Sequence, residues 1–272
     1  MLSILHNPAS MASASRLRQN SRGLAGSLMK LSSGKRINAA ADDAAGLGVA
    51  VNLETRTGSL RAAVRNANDA ISIVQVIDEA MGTTVDLLQR MRELAIQSSS
   101  ETLADGERSF VEDEFTALLD QMGQLSQNTE WNNTPLLNGT TMSMDVQVGV
   151  NNSTDDRIEL RLPSLAALHG AMSALSVSTS TVAQTTITTL DNALGATNNV
   201  RSVLGAKQNR FESSIQHLQV SEMALSSASS QILDTDYAVE TSRMSKLQIM
   251  QQAGTASLVQ AKSVSQSVLS LL

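Results

Sequence analysis

The chain has 272 residues, 42% of them hydrophobic but only 2% aromatic, so any core is made of Leu, Ile, Val, Met and Ala, a composition suited to helix-on-helix packing. Cys is absent, which excludes disulfides and thiolate metal sites. The net charge of −6 is unevenly spread: residues 1–41 carry Arg16, Arg18, Arg22, Lys30, Lys35 and Arg36 with no acid, residues 233–272 balance acids and bases, and the middle holds −12.

A basic amphipathic start without Trp, Phe or Tyr has nothing to anchor at a membrane interface or to stack on bases, so neither membrane insertion nor nucleic acid is expected. No basic segment followed by an apolar run opens the chain, and no span of roughly 20 apolar residues occurs, so if the protein leaves the cytoplasm it is expected to do so without a cleaved signal peptide of the usual kind.

In chain order, Leu17, Leu24, Leu28 and Leu31 follow one another at helical spacing and draw one apolar stripe, which Ser32-Ser33-Gly34 ends. The Ala- and Gly-rich stretch after it, with Asp42 and Asp43, reads as an irregular connection. A helix from about Ala44 to Ser99 then carries Ile71, Val74, Ile77, Met81, Val85, Leu88 and Met91, with a charged, solvated opposite face. Leu94 is placed off this stripe, on the outer side. After Asp105-Gly106 a third helix carries Phe110, Phe115, Leu118, Leu119, Met122 and Leu125 and should end near Asn128.

From Trp131 the period changes to two. Met142, Met144, Val146, Val148 and Val150, then Ile158, Leu160 and Leu162, alternate with polar residues and predict a β-hairpin near 142–162 with one buried face. Residues 164–183 read as a surface loop containing a Ser/Thr run. A helix from about Thr185 to Gln231 has Leu204, Phe211, Leu218, Leu225 and Ile232 at spacings of seven, widened by Val200, Ile215 and Met223. A sustained heptad demands other long helices along it. A last helix from roughly Thr235 sets Met244, Leu247, Gly254, Leu258, Ala261, Ser265, Val268 and Leu272 on one face, and its small residues invite close approach. Both ends are therefore amphipathic helices that cannot bury their stripes alone, and should pair with each other or with copies of themselves.

These elements give a mainly α fold: long antiparallel helices in a coiled-coil-like bundle with one β-hairpin and paired end helices. Catalysis has little support. His6, His169 and His217 sit in unrelated contexts, with no metal-ligand spacing and no nucleophile motif, so no cofactor or metal is expected. His217, beside Leu218, reads as a half-buried helix residue, and Asp42-Asp43 as structural.

Leu31-Ser32-Ser33-Gly34-Lys35-Arg36-Ile37-Asn38-Ala39-Ala40-Ala41-Asp42-Asp43-Ala44-Ala45-Gly46-Leu47 resembles the N-terminal signature of bacterial flagellins, as does Gln89-Arg90-Met91-Arg92-Glu93-Leu94-Ala95. Leu204-Gly205-Ala206-Lys207-Gln208-Asn209-Arg210-Phe211, Asp234-Thr235-Asp236-Tyr237-Ala238 and Gln251-Gln252-Ala253-Gly254-Thr255 are similar to the flagellin C-terminus.

The resemblance implies a secreted subunit of the extracellular flagellar filament. Its innermost domain would be residues 1–40 and 235–272, surrounded by a helical domain of 41–234, with no outer variable domain. It implies self-assembly through Leu17, Leu24, Leu28, Leu31, Leu247, Leu258 and Val268. As partners it implies the flagellar export chaperone, hook-junction and cap proteins. It also marks Gln89, Arg90, Leu94 and Glu114 as a surface shared between subunit packing and a flagellin-sensing Toll-like receptor. The alternative from the residues alone is a soluble, chemoreceptor-like signalling coiled-coil rod, against which the hairpin argues.

Overall fold

A computed structural model describes residues 7–269 of the protein, and side chains as far as residue 263. The described helices are α1 (Pro8–Ser33), α2 (Ala44–Ser99), α3 (Asp105–Asn128), α4 (Leu165–Met172), α5 (Ser180–Leu233) and α6 (Tyr237–Leu269). The strands are β1 (Glu130–Trp131), β2 (Thr134–Pro135), β3 (Ser143–Gln147) and β4 (Arg157–Arg161). His6 and Leu272 lie outside the described residues, and the side chains of Ser265 and Val268 lie beyond the described side chains.

The helix boundaries have local causes. Pro8 opens α1 where its missing N–H costs nothing, the Asn7 side chain accepts from Ser10 N at 3.0 Å, and Gly34 ends the helix at φ 72°, a conformation that suits glycine. Asp43 caps α2 by accepting from Gly46 N at 2.9 Å. Asp236 does the same for α6, accepting from Ala238 N at 2.9 Å and Val239 N at 3.1 Å. A carboxylate at these positions also complements the positive end of the helix dipole.

The chain divides into two compact units, residues 1–57 with 223–272, and residues 58–222. The divisions fall inside α2 and α5, whereas the domain limits drawn from sequence follow the interruptions of the helices near 41 and 234. In the first unit α1 packs against α6. The two connections between helices lie side by side there: Lys35 bridges Asp234, Thr235 N–H donates to Gly34 O at 2.9 Å, and the Arg36 guanidinium donates to Ile232 O at 2.7 Å. Ile37, Ala50 and Leu233 form a small buried cluster beside them.

In the 58–222 unit the core is built from the inner faces of α2, α3 and α5 and from the hairpin. Ion pairs tie α2 and α5 in antiparallel order: Arg61–Glu222 at 2.6 Å, Arg201–Asp78 at 2.8 Å and Arg92–Asp191 at 2.6 Å. The charged face of α2 is thus partly paired as well as solvated. Val146 opposes Ile158 and Met144 opposes Leu160 across β3 and β4, as their alternation requires, and Lys207 Nζ donates to Glu159 O at 2.7 Å, tying α5 to β4.

Several sequence expectations need correction. Residues 164–183 are not one loop, because Leu165 and Met172 are buried within α4, Val177 is buried, and α5 begins at Ser180. A second, shorter hairpin joins β1 to β2 through Asn132 and Asn133, both at positive φ, which Asn tolerates better than most residues. Phe110 is 74% exposed rather than on the inner stripe of α3, and Met142 and Met223 are exposed as well. His217 is exposed, not half-buried.

Candidate assembly and recognition surfaces

In the α1–α6 pair, glycines set the distance of approach. A Cβ added at Gly23 would meet the Leu247 methyls at 3.4 Å, and one at Gly254 would meet Leu17 Cδ1 at 3.4 Å. The ends of the pair are pinned by polar contacts: Asn7 Nδ2 donates to Ala261 O at 2.8 Å, and the Tyr237 hydroxyl donates to Leu31 O at 3.1 Å. These contacts run in opposite directions along the two helices, so the pairing is antiparallel.

Leu17, Leu24, Leu31, Leu247 and Leu258 are all half-buried in this arrangement. Leu28, at the margin of the α1 stripe, keeps 50% of its surface exposed. Sequence reasoning missed a further set of exposed apolar residues on the same helices, namely Met11, Met29, Val239, Ile249 and Val259. Their signal was present in the sequence as apolar residues off the main stripe, but a single exposed residue of this kind is ordinary and carries little information.

The polar surface of the pair is one-sided. Arg16, Arg18, Arg22, Arg243, Lys246 and Lys262 are exposed and Lys30 is half-buried, and none of them forms a salt bridge among the described residues. The single acid on the two helices, Glu240, is buried, and its Oε1 has no hydrogen-bond partner among the described residues. The outward face of α1 and α6 is therefore cationic with scattered apolar residues.

On the 58–222 unit, Arg90 lies across α2 and α3. Its Nε and Nη2 donate to Glu114 Oε1 at 2.9 and 2.7 Å, and its Nη1 donates to Glu93 Oε2 at 3.1 Å. The Glu114 hydrogen bond, then that of Glu93, raises the pKa of the guanidinium further above its ordinary value. Gln89, Arg90 and Glu114 are all exposed. Leu94 is not: it is 2% exposed and packs in the core of the unit, because it follows Met91 by three residues and so continues the stripe instead of leaving it. Ile96 is the outward apolar residue at this end of α2.

Arg108, another residue the sequence reading passed over, holds the turn between these helices. Its Nε donates to Ser98 O at 3.1 Å and its Nη2 to Ser100 O at 2.7 Å, while Nη1 pairs with Asp105 at 3.0 Å. Asp42, by contrast, has the structural role expected of it: its Oδ2 accepts from Asn38 N at 3.0 Å and Ala39 N at 3.1 Å, and these bonds hold its carboxyl below the usual range.

Residues 4–142 match the bacterial flagellin N-terminal helical region, and residues 187–272 match the bacterial flagellin C-terminal helical region. The chain belongs to the bacterial flagellin family. Among its relatives, a flagellin of Halalkalibacterium halodurans is 39% identical, the match covering 89% of each chain. The flagellar filament 30.7 kDa core protein of Treponema maltophilum is 33% identical over 99% of each. In structure, the chain resembles the crystal structure of Bacillus cereus flagellin with a TM-score of 0.52 and 25% identity, over 57% of this chain and 88% of that one. Membership gives this flagellin a structural role as a subunit of the flagellar filament and sets the signalling-rod alternative aside.

Proposed function

We propose that the α1–α6 pair is the innermost, assembling part of this flagellin, with residues 1–40 and 235–272 forming the inner domain and 41–234 surrounding it. The observation that carries the reading is that α1 and α6 pair with each other and still leave Leu28, Met11, Met29, Ile249 and Val259 exposed. Apolar surface left over after intramolecular pairing is available to neighbouring copies, and contacts between unlike patches generate an open helical polymer. Leu17, Leu24, Leu31, Leu247 and Leu258 hold the pair together, and Leu28 faces the neighbour. The role is that of a structural protein and not of an enzyme.

The chain reaches the filament by secretion, in an unfolded form that the absence of Cys leaves free of cross-links. The export chaperone, hook-junction and cap proteins are its expected partners. Gln89, Arg90 and Glu114 form the exposed patch that packs between subunits and that a flagellin-sensing Toll-like receptor reads on the monomer, while Leu94 supports it from beneath. Electron microscopy of Leu28→Asp tests assembly: short or absent filaments with an unchanged monomer fold support the reading, and normal filaments refute it. A receptor-reporter assay on wild-type and Arg90→Ala monomer tests recognition. Silence from wild type, or equal activity in both, removes the receptor role and leaves the filament role standing.

A further inference from the structure

Asn138-Gly139 is the single Asn-Gly pair in the sequence. It lies between β2 and β3 in a turn whose flanks are fixed. Leu136 and Leu137 are buried, Leu136 N–H donates to Thr129 O at 3.0 Å, and Leu137 O accepts from Leu165 N at 2.9 Å and Ala166 N at 3.2 Å. The carboxamide oxygen of Asn138 accepts two hydrogen bonds from one residue, from Thr140 N at 2.9 Å and Thr140 Oγ1 at 2.6 Å. Gly139 stands at φ 79°, and its own N–H donates to no group among the described residues. A Cβ at this position would lie 2.6 Å from Ser164 Oγ, so the backbone passes close to the cap of α4 and only glycine fits.

We propose that this turn is a self-modifying site, at which Asn138 is converted to aspartate and isoaspartate with water as the only co-reactant. The Gly139 backbone nitrogen attacks Cγ of Asn138 and forms the new N–Cγ bond. The Cγ–Nδ2 bond of the carboxamide breaks, the proton lost by the Gly139 nitrogen passes to the leaving group, and ammonia departs from a five-membered imide. Water then adds to one of the two imide carbonyls and opens the ring. Attack at the former carboxamide carbon, Cγ, returns the ordinary backbone with an aspartate at position 138, and attack on the backbone carbonyl of the same residue gives isoaspartate. No atom changes oxidation state.

Three features of the turn favour the first step. The two donors of Thr140 polarise the carbonyl under attack and face the oxygen on which negative charge develops, as oxyanion-stabilising donors do. The attacking N–H is not held by another acceptor among the described residues. The hydrogen bonds at Leu136, Leu137 and Thr140 flank the reacting pair and limit the conformations that the short turn samples. The products differ in consequence. Aspartate at this position adds one negative charge next to the start of α4, where the helix dipole tolerates it. Isoaspartate adds a carbon to the backbone between Leu137 and Gly139 and disturbs the burial of Leu136 and Leu137.

The test is peptide mapping by mass spectrometry of the whole protein, incubated folded and, in parallel, unfolded in urea at the same mildly alkaline pH. The expected result is amide-to-acid conversion at Asn138 at least as fast in the folded protein as in the unfolded one, with both product isomers present. Thr140→Val should slow the folded reaction several-fold and leave the unfolded rate unchanged, and Thr140→Ser, which keeps the hydroxyl, should match wild type. A folded protein that reacts more slowly than the unfolded one, or a Thr140→Val variant that reacts at the wild-type rate or faster, overturns the proposal.

Discussion

Leu28→Asp separates assembly from folding because Leu28 is 50% exposed in the isolated subunit. Full burial of a Leu side chain is worth roughly 1.5–3 kcal/mol, so covering the remaining half by a neighbouring copy contributes on the order of 1 kcal/mol per subunit. Leu28→Ala forfeits that contribution and should raise the critical concentration for filament growth about fivefold, since about 1.4 kcal/mol corresponds to a factor of ten. Leu28→Asp adds the cost of placing a carboxylate in a closing apolar contact, several kcal/mol when it finds no partner, and should raise the critical concentration by about 100-fold or more. In the monomer the same side chain already meets water at the margin of the pair, so urea unfolding should shift by no more than about 0.5 kcal/mol. Leu258→Asp behaves differently, because Leu258 is half-buried on α6 and its replacement loosens the pair before any neighbour arrives. The assay is pelleting of filaments across a concentration series, with circular dichroism of the monomer as the folding control. Leu28→Asp filaments at the wild-type critical concentration would show that α1 does not present this margin to its neighbours.

Leu94→Ala, which empties a fully packed position, should destabilise the 58–222 unit by about 2–5 kcal/mol in urea titration; a shift below about 1 kcal/mol would argue against its burial. Arg90→Ala should leave the unfolding midpoint unchanged and lower the receptor-reporter signal, a combination that a purely structural role would not produce. Asp42 is stabilising while ionised, because its carboxyl is held below the usual range by the Asn38 and Ala39 N–H groups. Its contribution is complete above the ordinary Asp range and lost as pH falls through the lowered value. Asp42→Asn should therefore be less stable than wild type at neutral pH and converge with it in strong acid, as read by thermal unfolding across a pH series. Because α1 and α6 present bases with their one acid buried, side-by-side packing of such pairs is opposed by like charge. Raising ionic strength from about 0.01 to 0.15 M shortens the screening length from roughly 30 to 8 Å and should lower the critical concentration; an increase would mean that oppositely charged surfaces meet instead.

The long elements were legible because their signals are redundant. Over a helix the length of α2, dozens of positions vote on the period, and Ala44 to Ser99 follows from them, ahead of the break read around Asp105-Gly106. The hairpin was legible for the same reason, since β3 and β4 pair in the register that puts Met144 against Leu160 and Val146 against Ile158. Short elements had no such margin. The eight residues of α4 offer about two turns, and their Ala-rich sequence looks like linker; what makes them helical is the Ser164 cap, a local signal, together with burial of Leu165 and Met172, which is a tertiary fact. The β1–β2 turn depends on positive φ at Asn132 and Asn133, a feature seen in the backbone and only suggested by composition.

The errors of facing share a cause. A stripe defined by spacing has edges, and a residue near an edge is buried or exposed according to what packs beside it. Leu94 follows Met91 closely enough to be taken into the core, Phe110 on the next helix is turned out, and Met223 leaves the heptad that Leu218 and Leu225 keep. The same edge effect underlies the proposed assembly: Leu28 is close enough to Leu24 and Leu31 to belong to their stripe, yet half of it stays open when α6 is in place. Periodicity identifies a helix that needs a partner. It does not say whether one partner suffices, and under the proposed assembly the answer lies in the apolar surface that remains after α1 has found α6. A polymer built on that remainder gains nothing from deepening the pair itself, so substitutions at the exposed margin and at the paired seam should separate cleanly into those that weaken growth and those that weaken the subunit.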